Sequence, residues 1–213
     1  VTGLSDKELI TGLYENDELA WRYALLAEIV FRNTGLRLID THVATAAALK
    51  KGRIYDLPTG EGKTLAAVVA AACFALQGRR VHVLVFNDYL AKRDWGDNKE
   101  IYAACGLQCG YINQHSTPAQ RRSAYACHIP YVSAKEAGFD TLRDFLRAEK
   151  EELVFPGFDG AIVDEADSVL IDGGRTPLVL AGALPMEEDA AEQIDSFVKR
   201  LRKGEVETEA AQH

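Results

Sequence analysis

The spacing of apolar positions divides the chain into alternating helical and strand-like stretches. Leu19, Tyr23, Leu26, Ile29 and Val30 recur at helical intervals and predict a helix over 18–32. Before it, Ser5-Asp6-Lys7-Glu8 has the form of a capping box and predicts a short helix to about Tyr14. Thr41 is placed to cap a third helix from Val43 to Lys51, and Lys50-Lys51-Gly52 suits a helix C-terminus. Arg53 to Leu57 is strand-like, and an Ala-rich helical run follows from Leu65 to Leu76. From there the pattern alternates. Val81 to Phe86 is a buried-type strand, and Asn87 or Asp88 caps a helix to about Cys105. Leu107 to Ile112 is a short strand, and Thr117-Pro118-Ala119-Gln120 is a second capping box with Pro at the first helical position. His128 to Val132 is a strand, Lys135 to Glu149 a helix, Gly160 to Asp164 a strand and Thr176 to Ala181 a last extended piece. This alternation predicts an α/β fold, preceded by N-terminal helices, with a mostly parallel sheet and helices on both faces. Such sheets bind ligands beyond the carboxyl ends of their strands. After Gly182 the pattern changes: an acidic run (Glu187, Glu188, Asp189, Glu192, Asp195) precedes a basic one (Lys199, Arg200, Arg202, Lys203), as in a solvated helix aligned with its dipole.

Composition narrows the classes. A chain of 213 residues can bury one sizeable core. A formal net charge of −8 argues against a sequence-independent grip on nucleic acid, so none is expected as a partner. No apolar window of about 18 residues suggests a membrane span. Asp6, Lys7 and Glu8 do not suit a secretory signal. The only methionine is Met186, so the chain reads as an excerpt or a processed product. Cys73, Cys105, Cys109 and Cys127 lack the tight paired spacing of a zinc site and read as reduced, small apolar side chains.

Two stretches carry candidate chemistry. Leu57-Pro58-Thr59-Gly60-Glu61-Gly62-Lys63-Thr64 lies between a strand-like run and a helical run. Gly60 and Gly62 allow the turn, and the following helix start offers unpaired N–H groups and a positive dipole end for phosphate. Lys63 adds charge for β- and γ-phosphates and Thr64 a hydroxyl for Mg²⁺. Far downstream, Ala161-Ile162-Val163 delivers Asp164 and Glu165 to a strand end. Asp164 suits Mg²⁺ and Glu165 an attacking water, the two needs of phosphoryl transfer beyond positioning.

The order of the blocks is more specific. Thr59 to Thr64, Asn87-Asp88-Tyr89-Leu90-Ala91-Lys92-Arg93-Asp94, Gly138-Phe139-Asp140-Thr141-Leu142-Arg143-Asp144, Asp164-Glu165-Ala166-Asp167-Ser168-Val169-Leu170-Ile171-Asp172 and Arg175-Thr176-Pro177-Leu178 follow one another along the chain. Together they resemble the SecA preprotein translocase ATPases, of the superfamily-two helicase fold, from about Leu4 to Gly182. The resemblance implies a RecA-like P-loop domain over 53–182, with N-terminal helices over 1–52 packed on it. It also implies a tail over 183–213 that begins a preprotein-binding insertion. Lys63 and Glu165 would be the catalytic residues. Thr59, Gly60, Glu61, Gly62, Lys63 and Thr64 would hold ATP, and Thr64 and Asp164 would hold Mg²⁺. Leu36 and Ile39 match apolar positions that contact the base, and His42 falls where the family has an adenine-reading Gln. An imidazole cannot supply an amide's paired donor and acceptor.

Other departures are Pro58 in place of Arg, Ser133-Ala134 in place of Thr-Asn, and Gly173-Gly174 in place of Glu-Ala. They suggest a divergent or accessory member. The implied partners are a preprotein, a SecY-type membrane channel and a second RecA-like lobe that supplies arginines across the site. The implied location is cytoplasmic and peripheral at the inner membrane. Without those arginines the chain alone is expected to hydrolyse ATP poorly. Two other readings stay open at this point. One is a DEAD-box nucleic-acid helicase lobe, from the literal Asp-Glu-Ala-Asp. The other is a nucleotide-binding scaffold without turnover, kept open by His42 and Pro58.

Overall fold

The computed structural model describes residues 1–15, 18–58 and 60–180. Compactness divides the chain at Leu178 and Val179, so every helix and strand named below belongs to the first unit. The acidic-then-basic tail lies outside the described residues.

Local chemistry starts most of the helices. Helix α1 (Asp6–Glu15) opens on the expected capping box: the Glu8 N–H donates to Ser5 Oγ at 3.3 Å and the Ser5 N–H to Glu8 Oε2 at 2.7 Å. Helix α2 (Leu19–Thr34) ends on Gly35, whose φ of 72° lets its N–H reach the Phe31 carbonyl at 2.8 Å. Helix α3 (Asp40–Lys50) begins earlier than expected, with Ile39 rather than Thr41 at the N-cap. The cause is His42, whose Nδ1 accepts the Ile39 N–H at 3.4 Å and so turns the chain before Thr41 is reached. Helix α4 (Lys63–Ala75) starts on Gly62.

Strand β1 (His82–Val85) is followed by α5 (Asp88–Ala104), where Asn87 Oδ1 accepts the Leu90 N–H at 2.9 Å. Strand β2 (Cys109–Tyr111) leads to α6 (Pro118–Tyr125), whose Thr117–Gln120 capping box forms as expected. Strand β3 (Ile129–Ser133) runs directly into α7 (Ala134–Phe145), and strand β4 is Ala161–Val163.

The four strands are all parallel, in the order β2-β3-β1-β4. Val83 stands between Tyr131 of β3 and Ile162 of β4. The alternation of side chains along β1 and β3 separates two cores. Val83, Val85 and Tyr131 face the larger one, shared with Leu9, Leu26, Ile29, Val69, Cys73 and Tyr102 from α1, α2, α4 and α5. Leu84 and Val132 face a smaller one with Tyr125, Ala137 and Phe155. The N-terminal helices therefore share one core with the sheet, and both faces are covered, as an α/β reading requires.

The smaller core contains a buried ion network. Arg121 donates to Asp140 at 2.7 Å and to Glu136 at 2.8 Å, while the Tyr125 hydroxyl donates to Asp140 at 2.9 Å. Arg143 pairs with Asp140 at 2.9 Å rather than with its neighbour Asp144. Asp144 instead accepts the N–H groups of Val154 and Phe155, the latter at 2.7 Å. That turn folds the chain back across the end of α7, which stops at Phe145 instead of running to Glu149.

Two strand expectations are also corrected. Residues 53–58 have no regular structure and join no ladder. Leu57 is buried, but Ile54 is 93 % exposed and no β-strand lies beside it. An apolar run becomes a strand only when its N–H and C=O groups find a ladder. Thr176 to Leu180 likewise carry no ladder, and Ala181 lies outside the described residues.

Candidate functional site

The glycine loop leads straight into α4. Gly60 and Gly62 have φ of 90° and 77°, values at which a side chain is strained. No side chain caps the start of α4, and Lys63 and Thr64, its first two residues, are exposed there. Exposed N–H groups at a helix start, with a cation and a hydroxyl beside them, suit an incoming phosphate. Thr59 lies outside the described residues. Glu61 is exposed, and its N–H donates to the Pro58 carbonyl at 3.3 Å.

His42 reaches the loop from α3. It is 7 % exposed, and its Nε2–H donates to the Glu61 carbonyl at 2.9 Å. A carbonyl can only accept, so the proton sits on Nε2 and Nδ1 is left to accept the Ile39 N–H. The ring lies so close to Gly62 that a Cβ there would collide with His42 Nε2. Leu36 and Ile39, just before α3, are exposed apolar side chains.

The carboxylate pair is built beyond the edge strand β4. The Asp164 N–H donates to the Leu84 carbonyl at 2.9 Å, which extends the β1–β4 ladder and holds Asp164 at the strand end. Glu165 follows with φ of 51°, the one positive value at a non-glycine among the described residues. Holding an L-residue there costs roughly 1–2 kcal/mol. Such strain persists where the surroundings impose it, often at functional sites. The Glu165 N–H donates back to Asp164 Oδ1 at 3.0 Å, and the Glu165 side chain is exposed. A π-helical turn over Ser168–Asp172 carries the chain away.

Helix α5 backs this half. Arg93 grips Asp94 through Nε at 2.8 Å and Nη2 at 2.7 Å. Burial raises the Asp94 pKa above the ordinary carboxylate value; the Arg93 bond opposes the shift and the charge of Asp164 adds to it. Asp94 therefore lies within electrostatic reach of Asp164. Asp88, at the start of α5, accepts the Ser133 hydroxyl at 2.6 Å and the Gln114 N–H at 2.8 Å, tying together the carboxyl ends of β1 and β3. The sequence had signalled the block from Asn87 to Asp94 without assigning a role to Asp94, and had offered Asp88 only as an alternative to Asn87 for the helix cap, which Asn87 takes. The partners of Asp88 come from β3 and the loop after β2, and the charge that acts on Asp94 from Asp164 comes from beyond β4, which no local spacing reveals.

The structure brings Glu61, Gly62 and His42 into contact, and it places Asp164 and Glu165 together at the end of β4, with Asp94 within electrostatic reach of Asp164. Among the described residues, no hydrogen bond or ion pair joins Lys63 or Thr64 to Asp164 or Glu165. The two halves share one lobe through the larger core, which contains both Val69 of α4 and Ile162 of β4. No group of three or more His, Cys, Asp or Glu among the described residues could hold a metal unaided. Mg²⁺ fits such a donor set only with phosphate oxygens and waters completing its shell.

A parallel α/β lobe with a glycine loop at a helix start and paired carboxylates beyond a strand end defines a RecA-like, P-loop type of domain. The chain belongs to the SecA DEAD-like domain family, whose model matches residues 5–212. Protein translocase subunit SecA 2 of Thermobifida fusca is 50 % identical over 192 residues, 90 % of this chain and 25 % of that protein. Protein translocase subunit SecA of Mycobacterium avium is 41 % identical over 210 residues, 95 % of this chain and 27 % of that protein. The SecA of Anaplasma marginale is 43 % identical over 208 residues, 95 % of this chain and 23 % of that protein. The chain thus spans about a quarter of the length of these relatives. The helicase and scaffold readings are not favoured by these likenesses.

Proposed function

We propose that this chain is the ATP-binding lobe of a SecA-type motor that couples ATP hydrolysis to the passage of preproteins across a membrane. The observation that carries the reading is the exposed Lys63–Thr64 start of α4 behind two glycines with positive φ, in a lobe that also presents Asp164 and Glu165 at a strand end. Thr59, Gly60, Glu61, Gly62, Lys63 and Thr64 would bind the phosphates of ATP, with Leu36 and Ile39 offering apolar contact to the base. Thr64 and Asp164 would hold Mg²⁺, which supplies charge neutralisation when bound. Glu165 would orient or deprotonate the attacking water. Asp94 would keep Arg93 fixed on α5.

Full activity belongs to the longer protein. A second RecA-like lobe would complete the site with arginines, and closure between the lobes would drive a preprotein through a SecY-type channel. The lobe would act from the cytoplasmic side, peripheral at the inner membrane. No described helix is long and apolar enough to cross a membrane. Titration of this chain with a fluorescent ATP analogue in Mg²⁺ tests the reading. Binding that Lys63→Ala abolishes and Glu165→Gln preserves is expected, and hydrolysis by the full-length protein should fall at least a hundredfold in Glu165→Gln. Binding untouched by Lys63→Ala would sink the assignment.

A further inference from the structure

We infer that His42 is a positioning residue for the phosphate loop. It holds the loop through the Glu61 carbonyl, and with both ring nitrogens engaged it leaves the base of a bound nucleotide unread. The inference rests on the nucleotide reading above and deepens it.

Three observations carry it. His42 is buried, and its Nε2–H bond to Glu61 at 2.9 Å is the side-chain hydrogen bond from α3 to the loop among the described residues. Its Nδ1 is taken by the Ile39 N–H, so the ring itself is held from the start of its own helix. An imidazole has two polar atoms, and neither remains to face a ligand. The contact with Gly62 adds the third point. The ring occupies the space a Cβ would fill, so glycine and histidine fit as one packed unit immediately before Lys63. A loop pinned in this way presents its N–H groups without a reorganisation cost at binding. What the loop then recognises is phosphate, which every nucleoside triphosphate shares.

The test uses the 213-residue chain and three probes: ATP, GTP and inorganic tripolyphosphate, the last having no base. If His42 only positions the loop, His42→Ala weakens all three by the same factor. That factor should be about three- to tenfold, the worth of one ordinary hydrogen bond. Wild-type protein should bind ATP and GTP within about threefold of each other. His42→Gln, whose amide can donate to Glu61, should recover most of the loss for every probe. Long-range ¹H–¹⁵N spectra of histidine-labelled protein, recorded without ligand, should show His42 as the Nε2–H tautomer. A loss confined to ATP, with tripolyphosphate unaffected, would show a base-reading residue and overturn the inference while leaving the nucleotide site intact. An Nδ1–H tautomer would overturn it as well. Failure of wild-type protein to bind any of the three would overturn the nucleotide reading and this inference together.

Discussion

His82 gives the chain a stability that should depend on pH in a calculable way. The side chain points into the smaller core from β1, fully buried. Its ring packs against Tyr125 at 5.7 Å, Phe155 at 5.6 Å and Phe158 at 4.8 Å between centroids. Neither ring nitrogen makes a hydrogen bond of ordinary geometry. Burial pushes its pKa down from 6.5 to about 4, and the nearby Gly160 carbonyl opposes the shift only in part. The folded chain therefore resists the proton that the unfolded chain accepts. This part of the stability is complete above pH 6.5 and is lost as pH falls toward 4. Linkage between those two values puts the loss at about 2 kcal/mol by pH 5 and about 3 kcal/mol once both states are protonated. Urea unfolding followed by circular dichroism at pH 7 and pH 5 measures it, with His82→Leu as the variant that cannot titrate. Carboxylates elsewhere contribute to both proteins and cancel in the difference. Wild-type protein should lose about 2 kcal/mol more than His82→Leu between the two pH values. Equal losses would refute the reasoning, because the neutral buried imidazole would then carry no proton linkage.

Two further outcomes follow from buried charge and backbone strain. Arg121→Met leaves Asp140 and Glu136 buried without their cation and should cost about 3–5 kcal/mol in urea unfolding at pH 7, where an exposed ion pair would cost less than 1 kcal/mol. Glu165→Gly removes a side chain from a residue with φ of 51° and should raise stability by about 1 kcal/mol, while hydrolysis by the full-length protein is lost. Unchanged or lowered stability in that variant would show that the turn is not strained.

Local chemistry made much of the fold legible. The Ser5–Glu8 and Thr117–Gln120 boxes mark two helix starts, because their hydrogen bonds lie within three residues of each other. The alternation of strands with helices likewise implied a parallel sheet. The order β2-β3-β1-β4 was not readable, since it depends on partners far apart in sequence. The partners of Arg143 and Asp144 were not readable for the same reason. Adjacent charges on a helix suggest a pair, yet their partners are Asp140 one turn back and the backbone of Val154 and Phe155. At the site, Lys63, Asp164 and Glu165 stood out because phosphate and metal chemistry restricts residue type. Asp94 did not, because its burial and the charge it feels from Asp164 depend on packing between segments far apart in sequence.

The misread strand and the unexpected histidine belong to one structural fact. A loop of this kind needs a fixed point on each side if its N–H groups are to stay aimed at a ligand. On the far side α4 provides one, with Val68 and Val69 buried in the larger core. On the near side a strand in the sheet would provide the other, but residues 53–58 join no ladder. Leu57 is buried, and burial is non-directional. The directional hold comes instead from His42, through one bond to Glu61 and contact with Gly62. A residue in that position cannot be exchanged freely, because its loss would release the loop at the point where no ladder retains it. His42→Ala should therefore disturb phosphate binding more than Leu36→Ala, because Leu36 is an exposed side chain with no hydrogen bond to the loop among the described residues.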